Sequence, residues 1–348
     1  MINVLVIDDS AFMRKLFTNT INEDPKLNVI DTARNGQKGL EKIKKLRPDV
    51  ITLDVEMPKK NGIETLKEIV KMDKAVPVVM VSALDNRDTV MTALDLGAFD
   101  FIPKPSGSIS LNIDDIKESL LEKLKTAAEN SKNLSKNKNK ACKKVKKITT
   151  NFKTKKKDNN FPVISIGCSS GGPKALKKFM EALPENFPAA MVIVQHMPPG
   201  FTNSLAQRLD QQSNVNVKEA SENDSIKPGL ALIAPGGKHL EVNDRGKIKL
   251  NEKPTKWGVR PCVDYMMTSI ASVYKDNNIG VILTGMGHDG AEGMDAIKNY
   301  NGYGIVEDES TALVYGMPST TIKKGAYDEI LPLDEIPSRL IDIIERRY

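Results

Sequence analysis

The 348-residue sequence predicts an α/β protein built from two doubly wound parallel-sheet domains. Short apolar runs alternate with helix-spaced amphipathic stretches near both ends of the chain, and a lysine-rich segment poor in apolar residues separates them. The length also fits two domains at ~100–200 residues each. Hydrophobic residues make up 40% and charged residues 28%, as in an ordinary globular protein. No stretch approaches the ~18 uninterrupted apolar residues of a membrane span. The N-terminus reaches the pair Asp8-Asp9 without a basic region, unlike a signal peptide. Cys142, Cys168 and Cys262 are odd in number and scattered. They exclude a disulfide framework and a CxxC zinc site, and fit a reducing cytoplasm.

In the first ~105 residues the apolar runs Ile2–Ile7, 28–33, Val50–Leu53, 76–81 and 99–102 read as five strands. Met13, Leu16, Phe17 and Ile21 mark one face of a helix after the first run, and Ile63, Leu66 and Val70 mark another after the third. A last helix is expected over 112–129, which closes a domain at 1–129.

Residues 130–157 hold twelve lysines and no acidic residue. Without them the formal net charge of +6 becomes −6, from 39 basic against 45 acidic residues. The basic character is therefore local, and no helix-turn-helix pattern accompanies it, so nucleic-acid binding is not inferred. Segment 130–160 offers too little apolar surface to offset its ordering entropy and is expected to be a flexible linker. A contact of its lysines with acidic partners or lipids is the alternative.

From 161 to 348 the alternation resumes. Strands are expected at Val163–Ile166, Met191–Val194, Gly280–Leu283 and Tyr303–Val306. Between the pairs lie 230–234 and a hairpin of His239–Val242 with Ile248–Leu250, turned at Asn243–Gly246.

Asp8 and Asp9 end the first strand, Asp54 the third, Ser82 the fourth, and Lys104 follows the fifth. A parallel sheet delivers all of them to one edge. Three carboxylates there repel one another unless a cation sits between them, and hard oxygen donors suit Mg²⁺. Asp54 can then attack a phosphoryl group, with Lys104 and the Ser82 hydroxyl on its oxygens.

In the second domain a strand runs into Gly167-Cys168-Ser169-Ser170-Gly171-Gly172-Pro173 and then a helix. Small neighbours expose the Ser169 hydroxyl at a tight turn, a formal but weak GxSxG match. A phosphate-binding loop is the competing reading, although GxGxxG and Walker spacings are absent. The chain offers three histidines as a base. His196 follows a strand beside that of Ser169. His239 lies off the parallel sheet, and His288 adjoins Asp289, a carboxylate placed to orient an imidazole. The order Ser169, His196, Asp289 differs from that of the α/β-hydrolases.

Val6-Ile7-Asp8-Asp9-Ser10, Asp54-Val55-Glu56-Met57-Pro58, Gly62, Val81-Ser82-Ala83 and Phe101-Ile102-Pro103-Lys104-Pro105 together resemble a response-regulator receiver domain. The resemblance implies a flavodoxin-like fold and Asp54 as phosphoacceptor. It also implies Mg²⁺ held by Asp8, Asp9, Asp54 and the Glu56 carbonyl, with Ser82 and Phe101 as switch residues. Ser82 stands where the family has threonine.

Ile166-Gly167-Cys168-Ser169-Ser170-Gly171-Gly172, Val194-Gln195-His196-Met197-Pro198-Pro199-Gly200-Phe201, Ile233-Ala234-Pro235-Gly236 and the run Gly280 to Gly290 resemble the CheB protein-glutamate methylesterases of bacterial chemotaxis. This implies a Rossmann-like catalytic domain and a triad of Ser169, His196 and Asp289. The Met286 N–H would contribute to an oxyanion hole, with support from Ser170. Cys168 often appears as alanine in the family and His288 as asparagine, and His288 leaves the choice of base open. The resemblance further implies a monomeric cytoplasmic enzyme with chemoreceptors as substrate, a chemotaxis histidine kinase as phosphodonor and no cofactor for ester hydrolysis. It implies deamidation of receptor glutamines by the same site and restraint by the unphosphorylated receiver. The rival reading is a non-enzymatic phosphorylation-controlled binding module, which the complete Ser/His/Asp set argues against.

Overall fold

The computed structural model describes residues 1–83, 85–104, 113–136 and 161–347. The chain divides into two compact units, Met1–Ala141 and Cys142–Tyr348.

The first unit alternates β1 (Ile2–Ile7), α1 (Ala11–Asn22), β2 (Leu27–Ala33), α2 (Gly36–Leu46), β3 (Val50–Asp54), α3 (Gly62–Val70), β4 (Val78–Ser82), α4 (Arg87–Leu96), β5 (Asp100–Pro103) and α5 (Ile113–Lys136). Its sheet is parallel in the order β2-β1-β3-β4-β5. The order reverses between β1 and β3, and that crevice receives Asp8 and Asp54. Continuous apolar strands fit a sheet covered on both faces. Helix starts are written locally: Ser10 caps α1 through Met13 N–H, and Asn61 and Glu64 form a reciprocal capping box on α3.

Two expectations need correction here. Val70 is exposed, because the buried face of α3 runs through Gly62, Thr65, Leu66 and Ile69 and leaves Val70 about one residue's rotation outside it. Helix α5 also continues to Lys136, beyond the expected end at 129. Residues 130–136 contain neither Gly nor Pro, so nothing stops propagation from a helix already anchored by Ile116, Leu120, Leu124 and Ala127. The rest of the expected linker, 137–160, lies outside the described residues.

The second unit comprises β6 (Val163–Cys168), α6 (Gly172–Glu181), β7 (Ala190–Gln195), α7 (Phe201–Gln212), β8 (Asn216–Glu219), β9 (Leu230–Ile233), β10 (His239–Val242), β11 (Ile248–Asn251), α8 (Val263–Tyr274), β12 (Asn278–Ile282), α9 (Ala291–Asn299), β13 (Tyr303–Glu307), α10 (Gly316–Lys324), β14 (Glu329–Leu331) and α11 (Ile336–Arg347). A seven-stranded parallel sheet has the order β14-β13-β12-β6-β7-β9-β8. The chain runs outward from β6 through β7 to the edge strand β8, steps back to β9 between β7 and β8, then crosses through the antiparallel β10–β11 hairpin and α8 to β12 on the other side of β6. Strand β6 is therefore the switch point, and Ser169, His196 and Asp289 follow the three adjacent strands β6, β7 and β12. The hairpin turns where expected, with the Arg245 and Lys247 N–H groups on Asn243 Oδ1 and Gly246 at φ +70°.

Candidate active site

In the first unit Asp8 and Asp54 are buried at the strand ends, whereas Asp9 is exposed. Lys104 Nζ lies 2.8 Å from Asp54 Oδ2 and 3.2 Å from Asp8 Oδ2. Burial, aided by the charge of Asp8, pushes Asp54 up to about 6 against the pull of Lys104. Among the described residues no backbone or hydroxyl donor reaches Asp8 Oδ2 or Asp54 Oδ2, although both are buried. Carboxylate oxygens of Asp8, Asp9 and Asp54 lie within 4.8 Å of one another. This all-oxygen set, whose two buried Oδ2 acceptors meet only the Lys104 ammonium, fits a hard divalent cation. The Glu56 side chain is exposed, and its backbone N–H bonds to the Asp54 carboxylate. A shallow pocket of about 450 Å³ opens beside the cluster, lined in part by Asp9, Glu56, Met57, Asn61 and Asn86. Ser82 is buried one strand away and donates to Ala83 O. Phe101 is buried under Lys123, whose ammonium lies 5.4 Å from the ring centroid.

In the second unit the polypeptide leaves β6 through Gly171 at φ +80°, a conformation natural to glycine at this turn into α6. A Cβ on Gly172 would fall 1.9 Å from Gln195 Oε1, so the glycine admits that side chain. Buried Gln195 donates to the carbonyls of Ser169 (3.0 Å) and His196 (3.2 Å) and accepts the Cys168 thiol at 3.1 Å. It ties together the two segments that carry Ser169 and His196.

His196 Nε2 lies 2.8 Å from Asp289 Oδ2. Asp289 also accepts the N–H groups of Val263 (2.7 Å) and Asp264 (2.9 Å) and the Cys262 thiol (3.1 Å). Burial would raise this carboxyl, but the His196 contact and the two backbone donors outweigh it and hold Asp289 below the usual range. Asp289 thus caps the N-terminus of α8. Asp264 returns the favour for α9, accepting the N–H groups of Gly290 (2.9 Å) and Gly293 (2.8 Å). Ser169 is half-buried and held through its backbone: its N–H donates to Thr284 O (3.0 Å) and its carbonyl accepts Gly172 N–H. Among the described residues it joins His196 and Asp289 through strand pairing rather than a side-chain bond. Ser170 is buried, and its carbonyl accepts the Thr284 hydroxyl. Met286 is half-buried in the loop 284–287, next to Gly285, where a Cβ would stand 3.0 Å from Ser169 Cβ.

The other histidines stand apart. His288 is exposed, meets Thr320 Oγ1 at 3.2 Å and packs edge-on against Trp257. His239 opens the hairpin strand β10 and is buried against Tyr265, where burial lowers its basicity. Gln195, Cys262, Asp264 and Thr284 join this network through contacts between segments distant in sequence. Only Asp264 carried a usable signal, as an acidic residue in the first turn of a helix.

The response regulator receiver domain family model matches residues 4–113, and the CheB methylesterase family model matches 164–340. Proteins named protein-glutamate methylesterase/protein-glutamine glutaminase are 44% identical in Pyrococcus abyssi (99% of this chain, 94% of that one) and 43% identical in Thermotoga maritima (99% and 98%). The second unit is also similar to the crystal structure of the Thermotoga maritima CheB methylesterase catalytic domain, at 45% identity and TM-score 0.52. That match covers 53% of this chain and 99% of the other. With its receiver domain preceding the catalytic one, this chain belongs to the CheB methylesterase family.

Proposed function

We propose that the chain hydrolyses glutamate γ-methyl esters on chemoreceptors, and deamidates selected receptor glutamines, under phosphorylation control. The observation that carries this reading is the His196–Asp289 hydrogen bond at the switch point beside Ser169. Because Asp289 takes Nε2, Nδ1 is the nitrogen left to receive the Ser169 proton. Ser169 Oγ then attacks the ester carbonyl, and Asp289 steadies the imidazolium. The Met286 N–H, supported by the Ser170 turn, donates to the oxyanion, a contribution of about 3 kcal/mol per donor in serine hydrolases. As the tetrahedral intermediate collapses, His196 gives the proton to the leaving methoxy oxygen, released as methanol, or to the leaving amide nitrogen of a glutamine, released as ammonia. Water deprotonated by His196 then releases glutamate and regenerates Ser169. No step requires a cofactor.

In the receiver, Asp8, Asp9, Asp54 and the Glu56 carbonyl would hold Mg²⁺, which when bound offsets the charge of the phosphoryl group. The Asp54 carboxylate attacks phosphorus supplied by a chemotaxis histidine kinase. Lys104 and Ser82 meet the resulting acyl-phosphate oxygens, and Phe101 reports the change. The receiver domain runs to the end of α5 at Lys136 and the catalytic domain from 161, the unphosphorylated receiver restrains the catalytic domain, and the protein acts as a cytoplasmic monomer. The decisive experiment is methanol release from methylated receptor by the parent and Ser169→Ala, with and without a phosphodonor. Stimulated release by the parent and none by the variant is expected; equal release by both would remove Ser169 from the mechanism.

A further inference from the structure

Behind the nucleophile turn lies a carboxylate that the mechanism above does not use. Glu307 ends β13 and is fully buried. A buried carboxyl is costly unless donors meet it, and here both oxygens are met. Oε2 accepts the Thr284 N–H at 2.7 Å, and Oε1 accepts the Thr311 hydroxyl at 3.0 Å. Burial pushes the group up to about 7 despite those donors and the charge of Lys178, with Asp308 adding to the rise.

Each donor belongs to a loop against Ser169. The Thr284 carbonyl accepts the Ser169 N–H (3.0 Å), and the Thr284 hydroxyl donates to Ser170 O (2.9 Å) and accepts Val314 N–H (2.8 Å). Gly285 and Met286 follow directly. Thr311 also accepts Leu333 N–H (3.0 Å) and opens the segment whose Leu313 packs against Gly171, where an added Cβ would lie 2.8 Å from Leu313 Cβ. One carboxylate therefore spans the loop carrying Met286 and the wall beside the Ser169 turn.

We propose that Glu307 is a positioning residue for ester hydrolysis: by holding Thr284 and Thr311 together it sets the height of Ser169 relative to the Met286 N–H. The inference rests on the assignment of Ser169 as nucleophile. It assigns Glu307 no substrate contact, so its effect falls on kcat rather than KM. Reach, not charge, is what the clasp requires.

The test compares Glu307→Gln and Glu307→Asp in the full-length protein, assayed for methanol release from methylated receptor with a phosphodonor, alongside Ser169→Ala. Glutamine keeps the length and an acceptor for Thr284, and its amide can donate to Thr311; kcat within about threefold of the parent is expected. Aspartate keeps the charge but is one methylene short. It should lose about tenfold or more in kcat with KM within about twofold, since small misplacements of reacting groups cost up to ~10²-fold. Parent-like kcat for the aspartate variant, equal losses in both variants, or a loss carried by KM would each overturn the proposal. If Ser169→Ala stays active, the assignment of the nucleophile fails as well; if it is inactive while both Glu307 variants match the parent, the clasp alone fails.

Discussion

Asp289 holds the ring of His196 and takes no hydrogen bond from the adjacent His288, although both histidines lay within reach of it on sequence grounds. The difference is direction: His288 projects to the surface toward Thr320 and Trp257. His288→Asn is therefore expected to keep most of the methylesterase rate, while His196→Ala loses on the order of 10⁴–10⁶ in kcat, by serine-hydrolase precedent. Equal losses in a steady-state assay would transfer the base to His288. Asp54 supplies a second prediction at this scale. Its folded carboxyl is raised to about 6, so ionisation costs stability as pH climbs from the unfolded value of 3.8 through 6. In chelator, Asp54→Asn should raise the receiver's unfolding free energy by on the order of 1–2 kcal/mol at pH 8. The gain should vanish below pH ~4, where both states of the parent carry a neutral carboxyl. The same variant should accept no acyl phosphate from a small phosphodonor. A gain that persists at low pH would assign the effect to packing.

At the scale of elements, both sites arise where parallel strands end at a switch point, and this was legible because strand-ending residues sit at fixed places in a βα pattern. Continuous runs such as 191–194 and 280–283 announced their strands. Strands β8 and β14 did not, since Asn216–Glu219 is a short, mostly polar edge strand and Glu329–Leu331 an edge strand of only three residues, none of them buried. Gln195, Cys262 and Thr284 were silent for another reason: each acts through a contact between segments distant in sequence. The reciprocal capping of α8 by Asp289 and α9 by Asp264 is of that kind, and it makes a prediction. Asp289 serves the imidazole and the start of a helix at once. Asp289→Asn should thus lose on the order of 10⁴ in kcat and also about 1–3 kcal/mol of stability, because one amide oxygen cannot replace two carboxylate acceptors. His196→Ala should lose the rate with a much smaller shift in the melting midpoint. Equal midpoints for the two variants would show that the cap contributes nothing to folding.

For the whole molecule, the two units are each complete: each has its own sheet, its own switch point and its own cluster of functional groups. On the proposed reading their communication would run through binding of one to the other, with residues 137–160 as the covalent link that sets the effective concentration. A receiver seated over the Ser169 edge would block a bulky receptor helix far more than a small ester. On the proposed reading, phosphorylation would change the receiver locally by drawing Lys104 and Ser82 toward the new phosphoryl oxygens, with Phe101 next to Asp100 on the same short strand. A fragment beginning at residue 159 should then exceed the unphosphorylated full-length protein in receptor demethylation and ignore a phosphodonor, whereas the full-length protein should be stimulated. Turnover of a small methyl ester should differ much less between the two. Replacing 137–157 with an uncharged flexible sequence of equal length should leave both ratios unchanged, since a tether acts through its length. A fragment slower than its unphosphorylated parent would exclude relief of inhibition and require the phosphorylated receiver to activate the catalytic edge directly.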